Sequence, residues 1–203
     1  KTGVKNRAQF VKESRINPFD NFPSVILHDN VEVTSDIKLA VQGADIVINT
    51  IPSKHLDRYL NEIKDIDYIL DFATLTSAAR VALGSDIVAL FSSDDQLAQD
   101  IIDAMSKEQE PVWRMPLYQP YLEFLKSKLA DFQNISTLEG PTAGAITAAL
   151  VLQQFVLPQI PWAHFDMHAY NDRTESGRPE GGEAECIRGV FRYLKGKFDS
   201  RMS

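Results

Sequence analysis

Residues 68–80 read YILDFATLTSAAR, and the fold class turns on how that stretch divides. A β-branched and aromatic run ends at Asp71, then come Thr74, Leu75, Thr76 and Ser77, then the helix-forming Ala78, Ala79 and Arg80. This is the order of a buried strand, a tight polar turn and the start of a helix, with Thr76 or Ser77 as its N-cap. In α/β proteins sites are built at such strand ends, because backbone groups released from the ladder can meet a ligand. An ordinary strand–turn–helix corner has the same spacing, so the stretch predicts a fold before it predicts a function.

Downstream, Asp86–Leu90 reads as a second strand, and Ser92, Ser93 and Asp94 cap a helix over Asp95–Met105 with Leu97, Ile101, Ile102 and Met105 inward. Glu110–Pro120 is irregular, broken by three prolines and packed down by Trp113, Met115, Leu117 and Tyr118. A short helix over Tyr121–Leu129, a polar loop and an apolar helix over Ala143–Phe155 follow. Trp162–His168 reads as a strand, Tyr170–Glu180 as a polar loop, and Glu183–Lys195 as a closing amphipathic helix with Ile187, Val190, Phe191 and Leu194 inward.

Upstream, Ala8, Phe10 and Val11 carry a weak helical pattern, and Val31–Val33 alternates like a short strand. A helix passes through Leu39, Ala40 and Val41, Asp45–Thr50 is a buried parallel strand, and Lys54–Ile63 is an amphipathic helix. The fold expected is α/β, a sheet flanked by helices, in two partial α/β units joined near residue 66: a Rossmann-like β-α-β-α segment over 1–66 and a second unit over 67–203.

Composition narrows the partners. The chain has 203 residues, 44% of them apolar, enough for a core, and a net charge of −7. That balance argues against nucleic acid or an anionic membrane, which attract clustered Lys and Arg. No apolar run approaches the roughly 20 residues of a membrane span. One cysteine, Cys186, excludes an internal disulfide framework and suits a reducing cytoplasm, as a buried structural thiol rather than a nucleophile. No signal peptide is read at the start, which is Lys1 rather than Met, so the expected location is cytoplasmic.

Several blocks carry a resemblance: DFATLTSAARVALG (71–84), ALFSSDDQL (89–97), VWRMPLYQP (112–120), LKSKLAD (125–131), AGAITAALVLQQF (143–155), WAHFD (162–166) and RPEGGEA (178–184). In this order they resemble the C-terminal part of the leucyl (cytosol) aminopeptidase family, over residues 67 to 197. The resemblance implies an exopeptidase that removes N-terminal amino acids from peptides with two divalent metals, Mn or Zn. These polarise the scissile carbonyl and lower the pKa of an attacking water. It also implies a homo-oligomer, since intact members are hexamers. On the substrate side it implies roles for Thr74, Leu75 and Ser77 on the turn, and for His168 and Asn171 on a pocket wall. Ser77 replaces the family's usual glycine, and an added side chain there narrows the site or changes the turn.

The family's ligand signature, Asn-Thr-Asp-Ala-Glu-Gly-Arg, falls just before the strand equivalent to Tyr68–Asp71. Residues 1–66 stand in its place and contain no such run. No catalytic residue and no metal ligand carries over, so the resemblance implies an aminopeptidase by descent whose activity is impaired or lost. Asn17-Pro18, Asn30–Thr34 and ADIVINTIPS (44–53) instead resemble the N-terminal domain of NAD(P)-dependent glycerol-3-phosphate dehydrogenase. That would set Ser53 and Lys54 near a nicotinamide. NAD is nevertheless not expected, because no G-x-G-x-x-G turn is present to bring pyrophosphate to backbone N–H groups. The two resemblances meet within IKDIDY (63–68), as in a fusion.

His164, Asp166 and His168 alternate along the predicted strand and so share a face. His-x-Asp-x-His is a possible zinc or manganese set; the competing reading is a hydrogen-bonded core pair with a rim histidine.

Overall fold

The computed structural model describes residues 67–138 and 142–202, and upstream of them the backbone of three short strands, β1 (Ala8–Val11), β2 (Val31–Thr34) and β3 (Ile46–Asn49). The helices expected over residues 36–43 and 54–63, and Ser53 and Lys54, lie outside the described residues. The segment through Ala8 and Phe10, expected to be helical, is a strand that pairs in parallel with β2.

Five strands make the central sheet, in the order β3, β4 (Tyr68–Ala73), β7 (Trp162–Asp166), β5 (Val88–Ser92), β6 (Val112–Arg114). β3, β4 and β7 run parallel, β5 runs antiparallel to β7, and β6 is parallel to β5. The α/β expectation holds, with one reversed pair in an otherwise parallel sheet.

Alternation along the strands divides the core in two. Tyr68, Leu70, Val88, Leu90, Ala163 and Phe165 face α2 (Asp95–Lys107) and α4 (Ile187–Met202). Ile69, Ala89, Phe91 and Trp162 face α1 (Ser77–Leu83) and α3 (Gly144–Gln153). α3 lies close because its first residue is small: a Cβ on Gly144 would stand 3.1 Å from Ala78 Cβ. The other layer is as tight, since a Cβ on Gly189 of α4 would fall 2.1 Å from Met105 Sδ.

Helix starts follow the caps. Asp94 accepts from Leu97 N at 2.7 Å and opens α2, which buries Leu97, Ala98, Ile101, Ala104 and Met105. α4 begins later than the amphipathic pattern predicts, because Cys186 at φ 67° breaks the helical backbone just before it. Half of its expected inner face holds: Val190 is buried and Leu194 packs against the core, whereas Ile187 and Phe191 are exposed and Tyr193 is buried instead. The expected helix over Tyr121–Leu129 is a 3₁₀ helix over Gln119–Leu125, and Leu129 is fully exposed beyond it. Within the supposedly irregular Glu110–Pro120, β6 adds an edge strand on which Trp113 is exposed, as is Tyr118 beyond it, while Met115 and Leu117 pack inward. The polar loop after Tyr170 is pinned by a two-residue antiparallel pair, β8 (Tyr170–Asn171) with β9 (Gly181–Gly182).

Candidate functional site at the end of strands β4 and β7

β4 and β7 end side by side, with Ala73 opposite Asp166. Past Ala73 the chain leaves the ladder, and the released amides turn to one carboxylate. Leu75 N and Thr76 N both donate to Asp166 Oδ1 at 3.0 Å, and Thr76 Oγ1 donates to Asp166 Oδ2 at 2.6 Å. The same hydroxyl accepts from Ala79 N at 3.1 Å. Thr76 is therefore the N-cap of α1 and also ties that helix to the neighbouring strand. Sequence alone left Thr76 and Ser77 equal as caps; the choice falls to Thr76 because Asp166 is within reach of its hydroxyl.

Ser77 begins α1 and is not among the described non-glycine residues with positive φ. The turn therefore does not need glycine there, and the extra side chain lines a cavity of about 190 Å³ instead. Thr74, Thr76, Arg80, Asp166 and His168 line it too. Of the residues singled out from sequence, Thr74, Ser77 and His168 thus come together. Leu75 is exposed on the turn beside them. Asn171 does not line the cavity: its amide donates to the carbonyls of Arg178 and Pro179, both at 3.0 Å, and holds the following loop closed.

The His164–Asp166–His168 metal set is not formed. Among the described residues no three His, Cys, Asp or Glu side chains are placed to hold an ion. The alternation that puts the three on one face lasts only as long as the strand, and β7 ends at Asp166. Asp166 already holds three donors. His164 is fully buried, stacked 6.0 Å from both Phe91 and Trp162, with Nδ1 3.5 Å from Asp71 Oδ2. Neither of its ring nitrogens has a hydrogen bond, so of the core pair expected as the alternative, His164 and Asp166, only Asp166 is hydrogen-bonded. His168 lies past the strand with Nε2 3.5 Å from Asp172 Oδ2.

Two charged residues at this rim were not among the candidate site residues. Arg80 Nη2 lies 3.1 Å from the same Asp172 Oδ2. Glu185 accepts from Ala169 N at 2.9 Å, yet burial raises its pKa above the ordinary value. Arg80 carried no signal beyond its place in a helix start, and Glu185 none beyond a charge cluster with Glu180 and Glu183. Cys186, next in the chain, is buried, and loss of water with the Glu110 and Glu185 carboxylates nearby drives its thiol pKa well up. It is the inert structural thiol expected.

The fold recurs in solved structures. A cytosol aminopeptidase from Coxiella burnetii superposes with a TM-score of 0.66 and is 51% identical, covering 72% of this chain and 31% of that one. The bottromycin maturation enzyme BotP gives 0.65 at 37% identity. Tomato leucine aminopeptidase, as its K354E mutant, gives 0.59 at 31% identity over 70% of this chain and 27% of that one. The model of the cytosol aminopeptidase family, catalytic domain, matches residues 57–190.

The chain belongs to the cytosol aminopeptidase family. A probable cytosol aminopeptidase of Synechococcus sp. is 45% identical over 131 residues, and one of Cyanothece sp. is 50% identical over 134. Each match takes in 64% of this chain and 26% of the relative, so the chain spans about a quarter of the length of these aminopeptidases. A second model, the N-terminus of NAD-dependent glycerol-3-phosphate dehydrogenase, matches residues 4–109, so the two share residues 57–109. In that shared stretch β5 is separated from β4 by β7 and runs against it. A dinucleotide-binding domain keeps such strands parallel. The shared stretch therefore has aminopeptidase geometry, and the dehydrogenase resemblance stands by itself only upstream of it.

No described helix is long and apolar enough to cross a membrane.

Proposed function

We propose that this chain is an aminopeptidase-family module that keeps the substrate-facing turn without a metal-ligand set, an exopeptidase by descent whose turnover is impaired or absent. On this reading residues 1–66 and 67–203 differ in origin, with β3 of the first adding a strand to the sheet of the second, and the second holds peptide through Thr74, Leu75, Ser77 and His168, with Asn171 fixing the loop behind them. One observation carries it: the two candidate ligands on β7 are already committed, Asp166 at the strand end to the turn and His164 to the core. BotP has been seen in complex with Mn. A Mn or Zn centre in this chain would need donors that these residues do not supply, so no hydrolytic step is drawn through one. A cytoplasmic location is part of the same reading.

The test is hydrolysis of a leucyl chromogenic substrate by the folded chain, with Mn²⁺ or Zn²⁺ added and then with EDTA. No metal-dependent turnover is expected. Turnover abolished by EDTA would show that a ligand set exists and would overturn the proposal.

A second reading, a non-catalytic module that assembles with copies of itself, is favoured by the exposed Ile187 and Phe191 on α4 and Trp113 on the edge strand. Light scattering after size exclusion separates it: a monodisperse monomer counts against assembly.

A further inference from the structure

The cavity at the β4–α1 turn keeps donors free to bind, on Arg80, His168 and Ser77, beside the buried Asp166 carboxylate. Asp166 points into it, but both carboxylate oxygens are taken by Leu75, Thr76 and the Thr76 hydroxyl. The Thr76 hydroxyl is used twice, toward Asp166 and Ala79. What remains is His168, whose Nε2 is shielded from solvent and has no hydrogen bond, the Ser77 side chain, and the Arg80 guanidinium. A carboxylate from the chain itself approaches both Arg80 and His168. Asp172 Oδ2 stands 3.1 Å from Arg80 Nη2 and 3.5 Å from His168 Nε2. Asp172 and Arg80 are each about half exposed, at 45% and 50%, so their pairing is easily exchanged. A guanidinium with an imidazole nitrogen beside it, able to carry a proton toward the ligand, suits an anionic oxygen.

We propose that this cavity selects a carboxylate-bearing side chain, the N-terminal Asp or Glu of a peptide, and that Asp172 occupies the carboxylate position as an internal stand-in until the ligand replaces it. The proposal rests on the peptide-binding reading above and names its substrate class. Arg80 and His168 are then specificity residues, and Asp172 is a competitor.

Binding rather than turnover tests it, so the metal question does not enter. The full chain is titrated calorimetrically with aspartyl-alanine, its uncharged isostere asparaginyl-alanine, leucyl-alanine and succinate. Aspartyl-alanine is expected to bind at least about tenfold tighter than asparaginyl-alanine, as a site built around a charged partner should. Asp172→Asn should tighten aspartyl-alanine several-fold, and His168→Gln should erase the preference while leaving the thermal unfolding transition in place. Equal affinity for the aspartyl and asparaginyl peptides, or a preference that survives His168→Gln, overturns the proposal. Tight leucyl-alanine binding indifferent to Asp172→Asn overturns it and leaves the peptide-binding reading intact. Succinate binding without any dipeptide keeps the carboxylate site and removes the peptide reading. No binding by any of the four overturns both.

Discussion

Two residues apart on β7, His164 and Asp166 are both almost wholly buried, and their surroundings treat them in opposite ways. Asp166, at the strand end, receives two backbone amides and a hydroxyl. His164, mid-strand, receives nothing on either nitrogen and sits between aromatic rings with the Asp71 carboxylate at 3.5 Å. The cause is topological. In the middle of a sheet the backbone donors are consumed by the ladder, and apart from Asp71 the rings around His164 are apolar. At the end of a parallel strand the chain departs, and its amides are free to converge on one acceptor. A strand end can therefore bury a carboxylate at little cost where a strand middle cannot.

The largest test of this contrast is Asp166→Ala. It leaves three donors without their acceptor and detaches α1 from β7, and it should lower the unfolding free energy by about 3–5 kcal/mol. Urea denaturation followed by circular dichroism measures it; a loss below about 1 kcal/mol would mean the turn stands without its anchor. At the strand middle the expectation has a different shape. His164→Leu leaves Asp71 buried without its neighbour and should cost about 2–4 kcal/mol. Adding Asp71→Val should recover most of that, to within about 1 kcal/mol of the parent, because an apolar pair suits that face better than an unbonded polar one. If the double variant is no better than the single, the contact between the two residues is worth more than its geometry suggests.

Sequence exposed the first half of this contrast and hid the second. The TLTS run is visible because its parts are local: a strand propensity ending, a cap residue and a helix beginning lie within a few positions of one another. Strands β3, β4, β5 and β7 and helix α2 were legible for the same reason, whereas β6, three residues in a proline-broken stretch, was not. The long-range partner was not. Asp166 is 90 residues from Thr76, and nothing in either segment announces the other. The His-x-Asp-x-His spacing then misled, because period-two alternation says which face a side chain takes but not where the strand stops. The Ile187 and Phe191 error on α4 has a similar origin. Helical periodicity gives a stripe, but which part of it meets the core is set by docking: Gly189 sits against Met105 of α2, with Val190 and Tyr193 buried and Ile187 and Phe191 left outside.

Smaller changes sharpen the strand-end picture. Thr76→Val removes both the cap to Ala79 and the bond to Asp166 while keeping shape, and should cost about 1–2 kcal/mol. Thr76→Ser keeps the hydroxyl and should stay within about 0.5 kcal/mol of the parent. A Ser variant as poor as Val would mean the methyl group, not the hydrogen bonds, holds the turn.

The smallest effect belongs to Glu185, which lies between the two extremes. It has backbone donors, from Ala169 and His168, but they do not outweigh its burial, and the like charge of Glu183 adds to the same direction. Its pKa is therefore raised above the ordinary 4.5. The folded state binds that proton more tightly than the unfolded chain does. The stability this provides is complete below the unfolded value and is lost as pH rises through the folded one. Glu185→Gln cannot titrate, so its stability should escape that loss. Relative to the variant, the parent should weaken as pH climbs from about 4 toward about 7, a trend that urea midpoints across that range would resolve. Should the parent gain on the variant instead, the two amides outweigh burial, and Glu185 belongs with Asp166 among the anchored carboxylates of the strand end.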